Sequence, residues 1–361
     1  HEADGLKNTD AWMALADVLD LEMPKLTASI ADPKRRFVYL QRQITPAVAD
    51  YIAKLKLPGV HLRRETKRYY PTGEISAHLV GNTNIDGAGI EGVERAFNEW
   101  LTSTPSEYKI RKDRQGRVIE NIGIVKEGKK AGQLVLSIDQ RLQSVAYRSL
   151  KYATEVNKAT SGSLVLMDVI TGEILAMVNT PSYNPNNRER LSGAQLRNRA
   201  LTDTYEPGSV MKPFTAALAL EYNKVRFDTV IACAPGRLTI GSATISDAHP
   251  HGDLTVAQVI QKSSNVGTAK ISAMLSPEQM WNMYDAIGVG QAPGLGFPGE
   301  VTGRLRPWKS WRPIEQATMS YGHGLSVSLM QLARAYTIFA REGDMVPLSL
   351  TRTDGMPIPT K

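Results

Sequence analysis

Cysteine is nearly absent from this sequence, and histidine is scarce. The single cysteine, Cys233, excludes a disulfide within the chain. With no base motif beside it, we expect a small buried hydrophobe rather than a nucleophile. Two of the six histidines, His249 and His251, flank a proline but lack the three or four convergent ligands that a metal requires. We therefore expect no metal, no cofactor and no histidine-based catalytic triad.

Long apolar runs and a nucleic-acid signature are missing as well. No run approaches the roughly 18–20 apolar residues that span a bilayer. The formal net charge is +7, and much of the basic character falls between Lys109 and Lys130. Acidic residues interrupt that stretch and no aromatic ladder accompanies it, so we predict a solvated face and no nucleic-acid partner. The 361 residues are enough for two domains.

A serine and a lysine lie three residues apart, directly after a Pro-Gly turn, at Ser209 and Lys212. In a helix this spacing puts both side chains on one face and brings the amine within hydrogen-bond reach of the hydroxyl. Pro213 is tolerated in the first turn of a helix, where no intrahelical hydrogen bond is lost. We therefore predict a helix that begins near Ser209, with Ser209 as a nucleophile and Lys212 as its base.

The same spacing occurs at Ser106 and Lys109, but there a charged stretch follows in place of an apolar helix. We expect those two residues to be solvated surface residues. The context for Ser209 comes from a second motif, Ser263-Ser264-Asn265. A serine hydroxyl can relay a proton, and an asparagine amide can accept from a lysine and donate to a carbonyl. The two motifs in this order indicate an acyl-transfer site more strongly than either alone.

These motifs make the chain similar to the class B penicillin-binding proteins, and most similar to those of the septal division type. Ser-x-x-Lys with Ser-x-Asn belongs to the signature of this family and of the related β-lactamases. The resemblance covers nearly the whole chain, including residues 68–71, 78–81, 89–94, 137–143, 181–187, 321–325 and 331–336.

The resemblance implies an α+β fold in two domains. Residues 1–133 are expected to form a non-catalytic, dimerisation-like pedestal. Residues 134–361 are expected to form a transpeptidase domain with a mostly antiparallel sheet between helices. The family's third motif, a Lys-Thr-Gly on an edge strand, does not occur in this sequence, and no membrane anchor precedes His1. We therefore expect a chain trimmed at both ends, without the C-terminal strands of the transpeptidase domain.

The resemblance also implies an activity and the residues that perform it. The family cross-links peptidoglycan stem peptides through an acyl-serine intermediate, and β-lactams acylate the same serine. Ser209 corresponds to the nucleophile, Lys212 to its base and Ser263 to the proton relay. Asn265 is expected to orient Lys212 and the peptide amide. The residues expected to bind substrate are Ser264, Tyr321, Gly322 and His323.

The expected partners follow from the same resemblance. They are stem peptides ending in D-Ala-D-Ala, β-lactams, a SEDS-type glycosyltransferase and other division proteins. The membrane would be reached through an anchor outside this sequence, which places the protein at the periplasmic face of the bacterial inner membrane. Three alternatives stay open: a β-lactamase, which must also activate water, an elongation-type transpeptidase of the same class, and a non-catalytic fragment that binds division partners through the pedestal.

Local patterns predict where the main elements lie. Amphipathic periodicity predicts helices at residues 10–19, 46–57 and 328–341. A helix is also expected from Asp139, after a short strand at residues 134–138. Two apolar runs around a Thr-Gly turn predict an antiparallel hairpin from residues 163–168 and 174–178.

Overall fold

Helices dominate the computed structural model, which describes residues 9–31, 37–115, 117–188 and 191–353. The chain divides into two units, residues 1–69 and residues 70–361. Within the described ranges, no helix combines the length and the apolar character that crossing a bilayer requires.

The described residues of the first unit contain three helices: α1 (Thr9–Val18), α2 (Met23–Ala31) and α3 (Pro46–Leu55). The Thr45 hydroxyl caps α3 by accepting a hydrogen bond from the Val48 N–H, and Pro46 opens the helix where its missing N–H is not needed. The helices predicted at residues 10–19 and 46–57 are confirmed, with ends that differ by one or two residues. One core joins their apolar faces, built from Trp12, Leu15, Leu26 and Ile52.

The second unit begins with short helices and an exposed ribbon. These elements are α4 (Ala77–Val80), α5 (Gly92–Ala96), α6 (Asn98–Leu101), β1 (Glu107–Lys112) and β2 (Val118–Lys126). The two strands pair antiparallel, and every residue of both is exposed. The ribbon contains much of the basic stretch between Lys109 and Lys130, so the predicted solvated face is confirmed for the strands.

The remaining elements form the part of this unit that carries both motifs. In chain order they are α7 (Gln140–Val156), β3 (Gly162–Met167), β4 (Ile174–Thr180), α8 (Gly193–Leu196), α9 (Arg199–Thr202), α10 (Lys212–Glu221), β5 (Val230–Ala232), β6 (Arg237–Ile240), β7 (Ala243–Ser246), β8 (Asp253–Thr255), α11 (Val256–Gln261), α12 (Asn265–Ser272), α13 (Pro277–Ala286), α14 (Pro313–Met319) and α15 (Leu329–Ala340). Within the ranges given above, the strands form four antiparallel pairs: β1–β2, β3–β4, β5–β8 and β6–β7.

The hairpin β3–β4 lies between α7 and α15. On one side, Tyr147 of α7 packs in a cluster with Ala176 and Val178 of β4. On the other side, Met330 of α15 packs in a cluster with Met177 of β4. This sandwich confirms the predicted α+β fold with an antiparallel sheet between helices.

Most element predictions in this unit are confirmed, and one is wrong. Asp139 starts α7, because its carboxylate accepts hydrogen bonds from the first helical N–H groups. The hairpin at residues 163–168 and 174–178 and the helix at residues 328–341 are also present. Residues 134–138 do not form a strand. Leu136 makes a single bridge to Thr351, so the neighbouring segment supports one residue pair and no ladder.

A separate core lies under α10 to α14 and fixes the two helices that carry the motifs. The pairs β5–β8 and β6–β7 contribute to its edge through Ile231, Ile245 and Leu254. Its largest fully buried side chains from the helices are Phe214, Ile271, Met280, Tyr284 and Met319.

Candidate active site

Ser209 lies in a 3-10 turn, Gly208–Met211, that leads directly into α10. The α-helix therefore begins at Lys212, three residues later than predicted, and Pro213 falls in its first turn as expected. Ser209 is exposed, and its hydroxyl has no hydrogen-bond partner among the described residues. The hydroxyl is thus presented to solvent at the positive end of a helix dipole.

Lys212 is buried, with only 1% of its surface exposed. Its amine donates to the Ser263 backbone carbonyl at 2.6 Å and to the Ser263 hydroxyl at 2.8 Å. The predicted direct hydrogen bond to Ser209 is not formed. Hydrogen bonds between catalytic groups are often long before substrate binds. The three-residue spacing still places the Ser209 and Lys212 side chains on one face of the turn.

Burial lowers the pKa of Lys212 to about 8, while the negative charge of Asp247 acts in the opposite direction. An ammonium that leaves water loses hydration, which favours the neutral amine. At neutral pH roughly a tenth of such a group is deprotonated, far more than for a lysine with a pKa near 10.4. Lys212 is therefore able to accept a proton from a nearby hydroxyl.

The second motif forms the turn between α11 and α12. Ser263 has a left-handed backbone with φ +55°, which is uncommon outside glycine and directs its hydroxyl and carbonyl to Lys212. Ser264 caps α12: its hydroxyl accepts from the Gly267 N–H at 2.8 Å. Ser263 and Lys212 are thus brought together, although 51 positions separate them.

Ser264 and Asn265 make contacts that the sequence does not indicate. The buried Ser264 hydroxyl donates to Asp247 at 2.8 Å, so its donor and its acceptor roles are both filled by protein groups. The Asn265 amide donates to the Ser246 carbonyl at 3.0 Å, and it makes no hydrogen bond to Lys212 within the described part of the chain. The orienting contact between Asn265 and Lys212 is therefore absent, because the amide is held at the end of β7.

The segment around Gly322 lies against the turn that carries Ser209. The Gly208 N–H donates to the Gly322 carbonyl at 3.1 Å. Gly322 has φ +86°, and a Cβ built on it would lie 2.1 Å from the Gly208 oxygen. Only glycine permits this close approach together with this backbone conformation. Tyr321 is buried beside it, whereas His323 is exposed and meets the Tyr321 ring edge-on at 5.5 Å.

Glu206 is a contact residue that sequence reasoning missed. Its carboxylate accepts from the Gly324 N–H at 2.8 Å and lies 3.1 Å from His323 Nδ1. These two contacts lower the pKa of Glu206, the backbone hydrogen bond having the larger effect. In the sequence, Glu206 is marked only by its acidic side chain directly before the Pro-Gly turn. In the structure, it connects the Ser209 turn to the segment after Gly322.

No metal centre accompanies this arrangement in the part of the chain that the structure describes. There, no group of three or more His, Cys, Asp or Glu side chains is placed to hold an ion. Cys233 is fully buried, as expected for a small hydrophobe, and burial raises the pKa of its thiol. The chemistry that the site offers is an exposed hydroxyl, a buried amine of lowered pKa, and a second hydroxyl bonded to that amine.

Comparisons with known proteins agree with this geometry. A family model for the penicillin binding protein transpeptidase domain matches residues 162–357, and one for the penicillin-binding protein dimerisation domain matches residues 5–136. The peptidoglycan D,D-transpeptidase FtsI of Escherichia coli K12 is 48% identical over 99% of this chain and 60% of its own length. The probable peptidoglycan D,D-transpeptidase PenA of Neisseria gonorrhoeae is 41% identical over 94% of this chain and 58% of its own length.

A solved structure gives the same picture. The apo structure of the TP domain of Burkholderia pseudomallei penicillin-binding protein 3 is 51% identical, with a TM-score of 0.57. The match covers 63% of this chain and 64% of that one. The chain spans about 60% of the length of the curated relatives described above. Its fold, its motifs and more than half of its length place it in one family: the chain belongs to the penicillin-binding proteins with a transpeptidase domain.

Proposed function

We propose that this chain carries the acyl-transfer site of a peptidoglycan D,D-transpeptidase, with Ser209 as the nucleophile. The observation that carries the proposal is the buried Lys212 amine, which is hydrogen-bonded to Ser263 and has a pKa of about 8. A neutral amine near an exposed serine hydroxyl is what a serine acyltransferase without histidine requires.

The reaction begins when Lys212 accepts the Ser209 proton and Ser209 Oγ attacks the carbonyl between the two terminal D-alanines. Ser263 is hydrogen-bonded to the Lys212 amine. It passes a proton to the amine of the departing D-alanine as the peptide C–N bond breaks. D-Alanine leaves and an acyl ester on Ser209 remains. An amine of a neighbouring stem peptide then attacks the ester, and Ser209 regains its proton. A β-lactam would acylate Ser209 in the same way because its ring imitates the dipeptide.

The Ser209 N–H lies in the 3-10 turn that leads into α10, and we propose that it contributes to the first step. Backbone N–H groups at a helix start have no intrahelical partner and can stabilise the oxyanion that develops on the attacked carbonyl. Gly322 contacts the Ser209 turn because its carbonyl accepts a hydrogen bond from Gly208. His323 lies next to Glu206, which directly precedes the Pro-Gly turn. We propose that Tyr321, Gly322 and His323 bound the substrate side of the site, and that Ser264 acts through its helix cap.

A fluorescent penicillin tests the nucleophile. We expect stable covalent labelling of the chain, complete loss in Ser209→Ala, and unchanged labelling in the matched control Ser106→Ala. Full-length Escherichia coli FtsI serves as the positive control. Labelling that persists in Ser209→Ala would remove Ser209 as the nucleophile. Label that is lost within minutes would support the β-lactamase alternative, and no label on a folded chain would support the non-catalytic interaction fragment.

The biological setting is a further proposal that rests on the resemblance. We propose that residues 1–133 act as the non-catalytic pedestal and residues 134–361 as the catalytic part, at the periplasmic face of the inner membrane, during septum formation. A SEDS-type glycosyltransferase and other division proteins are the proposed partners. Replacing the matching segment of Escherichia coli FtsI by this chain should restore division in FtsI-depleted cells. Persistent filaments, despite penicillin labelling of the hybrid, would favour the elongation-type alternative.

A further inference from the structure

The turn that presents Ser263 is held by a two-residue segment at the end of β7. Ser246 accepts a hydrogen bond from the Asn265 amide at 3.0 Å. Asp247 accepts one from the Ser264 hydroxyl at 2.8 Å and one from the Val266 N–H at 2.9 Å. Three consecutive residues of the second motif region are therefore fixed from one place, and two of the three bonds go to a single carboxylate.

The segment that carries Asp247 is itself rigidly placed. The Asp247 N–H donates to the Gly236 carbonyl at 3.0 Å, and Ser246 pairs with Arg237 at the end of the β6–β7 hairpin. Gly236 has φ +80°, and a Cβ there would lie 2.8 Å from the Pro250 Cα. The backbone of Asp247 is therefore fixed by Gly236 and by the end of the β6–β7 hairpin.

We propose that Asp247 is a positioning residue of the candidate active site, because it docks the turn that holds Ser263 against Lys212. The proposal rests on the function assigned above to Ser209 and Lys212. Asp247 touches neither substrate nor the reacting hydroxyl in the described contacts. It acts through Ser264 and Val266 on the neighbouring Ser263, and through space on the Lys212 charge.

The electrostatic part has a definite sign. A carboxylate near an ammonium stabilises the charged form, whereas burial of Lys212 destabilises it. The Lys270 amine of α12 donates to the Ala232 carbonyl, and the Tyr284 hydroxyl of α13 donates to the Met319 carbonyl. Removal of the Asp247 charge should therefore lower the proton affinity of Lys212.

Two substitutions separate charge from position. Asp247→Asn removes the charge and keeps an oxygen that accepts from the Val266 N–H. Asp247→Glu keeps the charge and changes the distance to the turn. The matched control is Asp253→Asn, which removes an exposed carboxylate of β8 that does not bond to the turn.

The titration of Lys212 is read directly by NMR of lysine labelled with ¹³C at Cε, with the signal assigned by its absence in Lys212→Met. We expect the midpoint to fall by about one pH unit in Asp247→Asn and to stay unchanged in Asp247→Glu and Asp253→Asn. The acid limb of the penicillin acylation profile should move down with it. An unchanged midpoint in a folded Asp247→Asn protein would overturn the proposal.

The plateau rate of acylation at high pH tests position. We expect it to fall several-fold in both Asp247 variants and to equal that of the parent in Asp253→Asn. A full plateau in Asp247→Glu would overturn the positioning role, and this variant decides alone if Asp247→Asn does not fold. A parent chain that is not acylated at Ser209 refutes the proposed function, while the NMR midpoints still test the link between Asp247 and Lys212.

Discussion

Two Ser-x-x-Lys pairs occur in this chain, and the fold treats them in opposite ways. Ser106 and Lys109 belong to the β1 region of the ribbon, where residues three apart point to opposite faces of the strand. Ser209 and Lys212 belong to a 3-10 turn and the first turn of α10, where they share a face. Spacing acquires chemical meaning only through the secondary structure in which it occurs.

Burial separates the two pairs further. Lys109 is exposed on the ribbon, and the Ser106 hydroxyl accepts a hydrogen bond from the Gly128 N–H at 2.9 Å. Lys212 is enclosed and bonded to Ser263, while Ser209 is exposed. In the candidate catalytic pair, the Lys212 amine is buried and the Ser209 hydroxyl is accessible to solvent. In the ribbon pair the lysine is solvated and the hydroxyl serves the backbone.

The largest expected difference concerns the lysines. Lys212→Ala should slow acylation by a fluorescent penicillin about 10³-fold, because the general base is lost. Lys109→Ala should leave the rate unchanged. Stopped-flow measurement of the acylation rate at pH 8 compares the three proteins. Equal rates in the parent and Lys212→Ala would show that the two pairs do not differ in the way proposed.

The second difference is in stability against pH. The folded-state pKa of Lys212, about 8, lies below its unfolded-state value near 10.4. The unfolded chain therefore binds more protons between these values, and the free energy of unfolding rises with pH across that window. Between pH 7 and 10.5 the parent should gain about 3 kcal/mol relative to Lys212→Met.

Denaturant unfolding at the two pH values measures this gain. The same comparison with Lys109→Met should give a constant difference, since that lysine is solvated in the folded state. A Lys212→Met difference that does not change with pH would indicate that the buried amine keeps its ordinary proton affinity.

The third effect is the pH dependence of acylation itself. Because Lys212 must be neutral to accept the Ser209 proton, the rate should rise with pH and level off above about 8. At pH 7 it should be about a tenth of the plateau. A profile that is flat from pH 6 to 9 in the parent would exclude Lys212 as the base.

The smallest effect is expected at Ser106. Ser106→Ala removes the acceptor for the Gly128 N–H, and in an exposed ribbon this should lower the free energy of unfolding by about 1 kcal/mol or less. Penicillin labelling should not change. A loss of labelling would mean that the ribbon pair takes part in the chemistry after all.

The sequence was sufficient to predict the features that depend on neighbouring residues. Asp139 and Ser328 cap their helices as their patterns indicate, and the Thr-Gly turn joins β3 to β4. Pro213 gave the approximate start of α10 for the same reason. In each case the deciding interaction lies within a few residues, so propensity and capping are visible in the letters.

Contacts between distant segments could not be predicted in this way. Asp247 precedes Ser264 by 17 positions and Glu206 precedes Gly324 by 118, and nothing local marks either pair. The predicted contact between Asn265 and Lys212 failed for the same reason, because the position of β7 decides where the amide points. The apolar run at residues 134–138 resembles a strand in the sequence. How many of its residues pair depends on the distant segment around Thr351, with which Leu136 forms an isolated bridge.

The contact between Gly208 and Gly322 limits how this protein can change over evolution. Any side chain at Gly322 would collide with the backbone of the turn that carries Ser209. A single mutation there would displace the Ser209 hydroxyl before it alters the shape of the neighbouring surface. Substitutions that leave the Ser209 turn in place must therefore occur at side chains around this contact, and Gly322 itself is closed to them.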